Sequence, residues 1–217
     1  MKSRFFIGHY NYTVIATYTA LVFGVCGIYS AISGNAFSAV IFLMLAGALD
    51  MVDGRIAKTK DRTEDEKHFG IQIDSLCDLI SFGVLPTVIG RSLGLTQLGF
   101  TALFALYILT AQIRLAYFNV DEFNRQKTTD GKRKYYKGLP VTSAAVIFPF
   151  IYTFLLPMGK QYLSVTYAAV LLLCSVLFVS NINIPKPGKK MIILFALIGI
   201  AMIAVLSYYK ISGYVVR

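Results

Sequence analysis

Long apolar runs alternate with short polar segments along the whole chain. They fall near 12–33, 36–58, 69–93, 97–120, 141–156, 162–180 and 190–208. About 20 mostly apolar residues carry a helix across about 30 Å of hydrocarbon, and each run comes close to that length. The runs are continuous and lack the in–out alternation of a membrane barrel strand, so they read as helices. The expected class is an all-α integral membrane protein, one polytopic domain over 1–217.

Composition agrees: 56% of the 217 residues are hydrophobic and 15% charged, with mean hydropathy +0.64. No ordinary soluble domain has that balance. The net charge of +10 would suggest nucleic acid in a soluble chain, but here the basic residues sit in short loops, and no nucleic-acid partner is expected. With the N-terminus placed in the cytoplasm, the inside segments hold Lys2 and Arg4, five cations from Arg55 to Lys67, six from Arg125 to Lys137, and Lys186, Lys189 and Lys190. The outside segments hold only Arg91, Lys160, Lys210 and Arg217. This asymmetry obeys the positive-inside rule. It predicts a multi-pass cell-membrane protein, with the first run retained as a span rather than cleaved as a signal peptide. Cys26, Cys77 and Cys174 lie in apolar runs without pairing or zinc spacing, and read as small core residues.

Against this background, four carboxylates stand out. Asp50 and Asp53 lie three apart, and Asp74 and Asp78 four apart, so each pair shares one helix face. With helix boundaries near 58 and 69, a rise of about 1.5 Å per residue puts Asp53 and Asp74 about 7 Å inside, and Asp50 and Asp78 about 12–13 Å. Two helices joined by a short loop pack as neighbours, so the pairs converge at matching depth. Ionised groups at that depth cost several kcal/mol and require counter-charge. Four carboxylates balance two divalent cations, and oxygen-only ligands select Mg²⁺, Mn²⁺ or Ca²⁺ over zinc. A rival use of such carboxylates is the path of a cation- or proton-coupled transporter, but the repeats and paired broken helices of that class are not evident in the sequence.

The order Asp50, Asp53, Gly54, Ala57, Lys58, then Gly70, Asp74, Asp78 resembles the signature D-x-x-D-G-x-x-A-R…G-x-x-x-D-x-x-x-D of the CDP-alcohol phosphatidyltransferases, membrane enzymes of phospholipid synthesis. Lys58 stands where that family has arginine, and the gap to Gly70 is longer. Arg55, Lys58, Lys60, Arg62 and Lys67 are therefore all open as the cation that meets the substrate diphosphate. The resemblance implies a bundle of six core transmembrane helices (about 10–185), with the run at 190–208 as a seventh, C-terminal helix. It implies Mg²⁺ or Mn²⁺, two per site, held by Asp50, Asp53, Asp74 and Asp78, with Asp78 also the general base. It places the CDP-lipid at Gly54, Ala57, Lys58 and Gly70, with Asn11 and Thr13 from the first helix, and implies a homodimer. Physically, Gly54 and Gly70 remove side chains where a nucleotide would approach backbone, although small residues also serve helix contact.

Three segments, IDSLCDLISFGVLP, RLAYFNV and YYKGLPVTSAA, are similar to those of the serine-using members of that family, with Tyr117 in place of a second arginine. The implied reaction transfers the phosphatidyl group of CDP-diacylglycerol to the hydroxyl of L-serine, releasing CMP. Glycerol 3-phosphate or inositol remains open as the acceptor of a sister enzyme. Arg114 is an intramembrane cation that either snorkels to headgroups or offers its planar fork to an anion in the site. With Asn119, Lys137 and Gly138 it forms the expected acceptor group. Gly83 and Pro86 are expected to kink the third span. Thr63 with Glu66 forms a capping-box pattern in a connecting segment, 61–70, that is expected to be helical and reads as a solvated turn or as a flap over the nucleotide.

Overall fold

A computed structural model of the protein describes residues 8–10, 12–56, 59–128 and 135–213. Asn11, Ala57 and Lys58, expected at the lipid-nucleotide site, lie outside the described residues. So do Lys2, Arg4, Lys132, Arg133, Lys134, Arg217 and the side chains of Arg55, Lys127 and Lys189. Among the described residues, seven helices long and apolar enough to cross a bilayer coincide with the seven apolar runs.

Helix α1 (Ile15–Ile32) follows a 3₁₀ turn at Tyr12–Val14. It buries a seam of small residues, Ala16, Thr17, Ala20, Gly24, Gly27 and Ala31, and this lets backbones approach where lipid supplies no hydrophobic drive between helices. Three residues link it to α2 (Ala36–Ile56), with Asn35 Oδ1 accepting the Ser38 N–H at 2.9 Å. So tight a connection makes α1 and α2 antiparallel neighbours.

The third span is the axle of the bundle. It consists of α3 (Glu64–Asp78), a π-helical segment Leu79–Val84, and α4 (Leu85–Ser92). Together these touch α1, α2, α5 (Leu98–Thr128) and α7 (Lys160–Val179). A Cβ added at Gly24 or Gly27 of α1 would overlap Ser81 or Leu85 of this span. Half of its apolar window is buried, against 11% for α8 (Lys189–Ile211), which lies outermost on α2 and α6 (Ala144–Leu155). The core between them contains Phe82, Leu85, Ile89, Tyr107, Phe148, Tyr167 and Phe178.

The elements depart from the sequence expectation in four places. Helix α3 starts at Glu64 rather than Phe69, because Thr63 and Glu66 close a capping box and Glu64, Asp65 and Glu66 lie in the first turn, where the helix dipole favours anions. Asp74 is therefore about 15 Å along its helix, and the charged first turn extends beyond the apolar part of the span. Helix α5 continues to Thr128 rather than ending near 120, and Arg114 stands about 21 Å from its C-terminal end. The expected kink is a π segment that ends against Pro86. Finally, β1 (Tyr135–Lys137) and β2 (Asn183–Pro185) pair antiparallel in a short ribbon, with Tyr136 opposite Ile184.

Candidate active site

The α2 and α3 carboxylates meet across the helix pair. Single carboxylate oxygens of Asp50, Asp74 and Asp78 all lie within 4.8 Å of one another. Asp53 is within hydrogen-bonding reach of Asp74, and Asp50 of Asp78, so the outer residues of each pair match, as do the inner ones. Asp53 and Asp78 are each only 8% exposed. Two like charges 4 Å apart repel by about 4 kcal/mol at an effective dielectric of 20, so a fully ionised cluster does not hold itself together.

This donor set fits a hard divalent cation. Every ligand is oxygen, and among the described residues none of the four is ion-paired to lysine, arginine or histidine. Asp74 Oδ1 is buried with no hydrogen-bond partner, and a cation would satisfy it.

Helix α1 adds a residue that carries no motif of its own. Thr17 Oγ1 donates to Asp53 Oδ2 at 3.1 Å. Thr13, expected at the lipid-nucleotide, is also buried. The sequence signal for Thr17 is its position one turn beyond Thr13 on the small-residue seam. Tyr12, at the start of this segment, is hydrogen-bonded through its hydroxyl to Thr59 Oγ1 at 3.0 Å, joining it to the α2–α3 loop.

The two signature glycines differ. A Cβ at Gly54 would meet nothing within 4 Å, whereas one at Gly70 would stand 3.0 Å from Arg62 Nη1. The guanidinium of Arg62 therefore occupies the space over Gly70, one turn before Asp74 and on its face. Lys60 pairs with Glu66 at 3.4 Å and Lys67 with Glu64 at 2.7 Å. Of the loop cations with described side chains, Arg62 is the one brought to the mouth of the acidic cluster.

The four residues expected to bind the acceptor do not form one group. Arg114 is 6% exposed, which excludes snorkelling to headgroups, and it stacks on Phe118 at 5.3 Å. It lines a cavity of about 320 Å³ with Tyr117, Lys137, Ser180 and Asn181. Asn119 turns instead to α3, where its Oδ1 accepts the Ser75 hydroxyl at 2.9 Å. Ala111 lies against Gly83, and these two contacts set an antiparallel register in which Arg114 stands level with Ile80, just beyond Asp78.

Gly138 has a backbone task. At φ +70° it presses against the end of α7, where a Cβ would lie 2.6 Å from the Phe178 carbonyl oxygen. Its N–H donates to Ile182 O at 2.8 Å, and that of Leu139 to Leu177 O at 2.9 Å. A carbonyl at the end of a helix in a membrane protein requires such a donor. The K-G-L-P segment thus caps α7, and with the β ribbon it carries Lys137 to the wall of the Arg114 cavity.

A model of the CDP-alcohol phosphatidyltransferase family matches residues 10–215, a range that takes in all seven spans. The CDP-diacylglycerol–serine O-phosphatidyltransferase of Saccharomyces cerevisiae is 32% identical over 150 residues, 64% of this chain and 53% of that protein. The archaetidylserine synthase of Methanothermobacter thermautotrophicus is 32% identical over 164 residues, 75% of this chain and 64% of its own length. The CDP-diacylglycerol–serine O-phosphatidyltransferase of Helicobacter pylori is 30% identical over 189 residues, 83% of this chain and 74% of that one. The chain thus spans little more than half of the yeast relative, and most of the bacterial one. Sequence signature, helical bundle and acidic cluster lead to one assignment: the chain belongs to the CDP-alcohol phosphatidyltransferase family.

Proposed function

We propose that this chain transfers the phosphatidyl group of CDP-diacylglycerol to the hydroxyl of L-serine, giving phosphatidylserine and CMP. The observation that carries the reading is the convergence of Asp50, Asp74 and Asp78 within 4.8 Å, with Asp53 joined to them through Asp74. The names of the relatives from yeast and Helicobacter supply serine as the acceptor.

Asp50, Asp53, Asp74 and Asp78 would hold the divalent cations, Mg²⁺ or Mn²⁺. When bound, these would supply charge neutralisation for the diphosphate and the leaving CMP. Arg62 meets the diphosphate from the cytoplasmic side, in the role the family signature gives to an arginine at the position of Lys58. Asp78 takes the proton from the serine hydroxyl as its oxygen bonds to the diacylglycerol-bearing phosphorus, and the phosphorus–oxygen bond to CMP breaks. Arg114 and Lys137 hold the serine carboxylate, for which a guanidinium offers paired donors. Asn119 acts indirectly, by tying α5 to α3 beside Asp74.

The excess of inside lysine and arginine orients this site to the cytoplasm. The slight burial of α8 supports its reading as a peripheral helix outside a catalytic core of about 10–185.

The test is one acceptor panel on purified protein, with CMP release as readout. L-serine is expected to outcompete glycerol 3-phosphate and myo-inositol, and Arg114→Ala to raise the serine KM about tenfold or more, the scale of a charged hydrogen bond, while CDP-diacylglycerol still binds. A wild type that ignores serine and uses glycerol 3-phosphate would overturn the acceptor and leave the acidic site standing.

A further inference from the structure

The break in the third span costs a backbone carbonyl its regular donor and brings it one from the side chain of another helix. In a regular helix the Phe82 carbonyl accepts the N–H four residues on, but residue 86 is proline and has none. No water replaces that donor in hydrocarbon. Tyr107 of α5, fully buried, donates its hydroxyl to Phe82 O at 3.1 Å. Its ring is held edge-on to Phe148 at 5.8 Å and tilted against Phe178 at 5.3 Å, so the hydroxyl is fixed. One turn farther on, Tyr167 of α7 donates to Pro86 O at 3.0 Å.

The joint adjoins the aspartates. Its π segment begins on the residue after Asp78, and the Leu85 N–H reaches back five residues to Ile80 O. An extra residue in a turn rotates the helix before it against the helix after it by about 100°. The bearing of α3 relative to the buried half of the span is therefore set at this joint, one turn beyond Asp78. Buried π insertions recur at functional sites for this kind of re-aiming.

We infer that Tyr107 is a positioning residue of the acidic site: by holding the Phe82 carbonyl it fixes the bearing of α3, and so sets Asp74 and Asp78 against Asp50 and Asp53. This rests on the metal-dependent function proposed for the site. Tyr167 makes the same kind of bond one turn farther from the aspartates and serves as its control.

The experiment measures Mn²⁺ binding by electron paramagnetic resonance on purified full-length protein, beside CMP release and thermal midpoint. Tyr107→Phe is expected to weaken Mn²⁺ binding and lower kcat, each about tenfold, the scale of one buried hydrogen bond. Tyr167→Phe is expected to lower the midpoint with Mn²⁺ affinity within about twofold of wild type. Adding Pro86→Ala to Tyr107→Phe returns an N–H to residue 86 and is expected to recover Mn²⁺ binding. Unchanged Mn²⁺ affinity in Tyr107→Phe, equal weakening by both tyrosine variants, or no recovery in the double variant would each overturn the inference while wild-type binding and turnover stand. If Tyr107→Phe alone does not fold, recovery in the double variant decides. A wild type that binds no Mn²⁺ removes the metal reading itself, and the inference with it.

Discussion

Thr17 on α1 donates its hydroxyl to Asp53 on α2 across 3.1 Å in the buried face between the helices. A neutral donor on one oxygen of an acidic ligand fixes the carboxylate without cancelling its charge. The first helix therefore supports the site from outside the signature sequence.

Thr17→Val keeps the shape of the side chain and removes the donor. The loss of a hydrogen bond to a charged acceptor predicts a rise of about tenfold or more in the Mg²⁺ concentration for half-maximal CMP release, with expression and thermal midpoint near wild type. Thr17→Ser should retain most of the activity. An unchanged metal requirement in Thr17→Val would remove this residue from the site.

Arg62→Ala is expected to raise the KM for CDP-diacylglycerol by about tenfold, as befits the loss of a charge-assisted contact to phosphate, and to leave the serine KM unchanged. Arg62→Lys should recover part of the loss, since a point charge replaces a fork. Lys60→Ala and Lys67→Ala remove cations already held by Glu66 and Glu64 and are expected to change the CDP-diacylglycerol KM by less than about twofold. Equal effects from the three alanine variants would mean a diffuse basic loop and no dedicated contact.

Gly138→Ala should destabilise the protein by at least about 2 kcal/mol, from a left-handed residue with a Cβ and a clash with the end of α7. The expected readout is a lower thermal midpoint in detergent, with serine KM per folded molecule close to wild type. A normal midpoint with a raised serine KM would restore Gly138 to the acceptor pocket and contradict its role as a cap.

The range of each interaction decides how legible it is in the sequence. The seven spans are readable because each is a local run of apolar residues matched to a fixed thickness of hydrocarbon. The pairing of Asp53 with Asp74 and of Asp50 with Asp78 is readable because helical periodicity and one short loop determine it. The capping box at Thr63 is visible in the sequence and marks a helix start there, whereas apolar length alone puts the start of the span near Phe69, because cap and hydrophobic signals differ at a membrane boundary. Contacts between distant segments leave no local trace. Asn119 turns to Ser75 and leaves Arg114 and Lys137 to line a cavity without it, and Gly138 serves the end of α7. The π segment likewise depends on Pro86 and on a tyrosine 25 residues past Phe82, which no local pattern announces.

The central claim is that the four aspartates form a metal-dependent phosphatidyl-transfer site, and CMP release with L-serine tests it most directly. The wild type, stripped with chelator and then supplied with Mg²⁺ or Mn²⁺, is expected to release CMP and form phosphatidylserine only after metal is restored. Asp50→Asn should abolish both Mn²⁺ binding and turnover, whereas Asp78→Asn should reduce turnover by about a hundredfold or more, the scale of a general base, and still bind CDP-diacylglycerol. Turnover that persists in chelator, or an Asp50→Asn variant as active as wild type, would contradict the account.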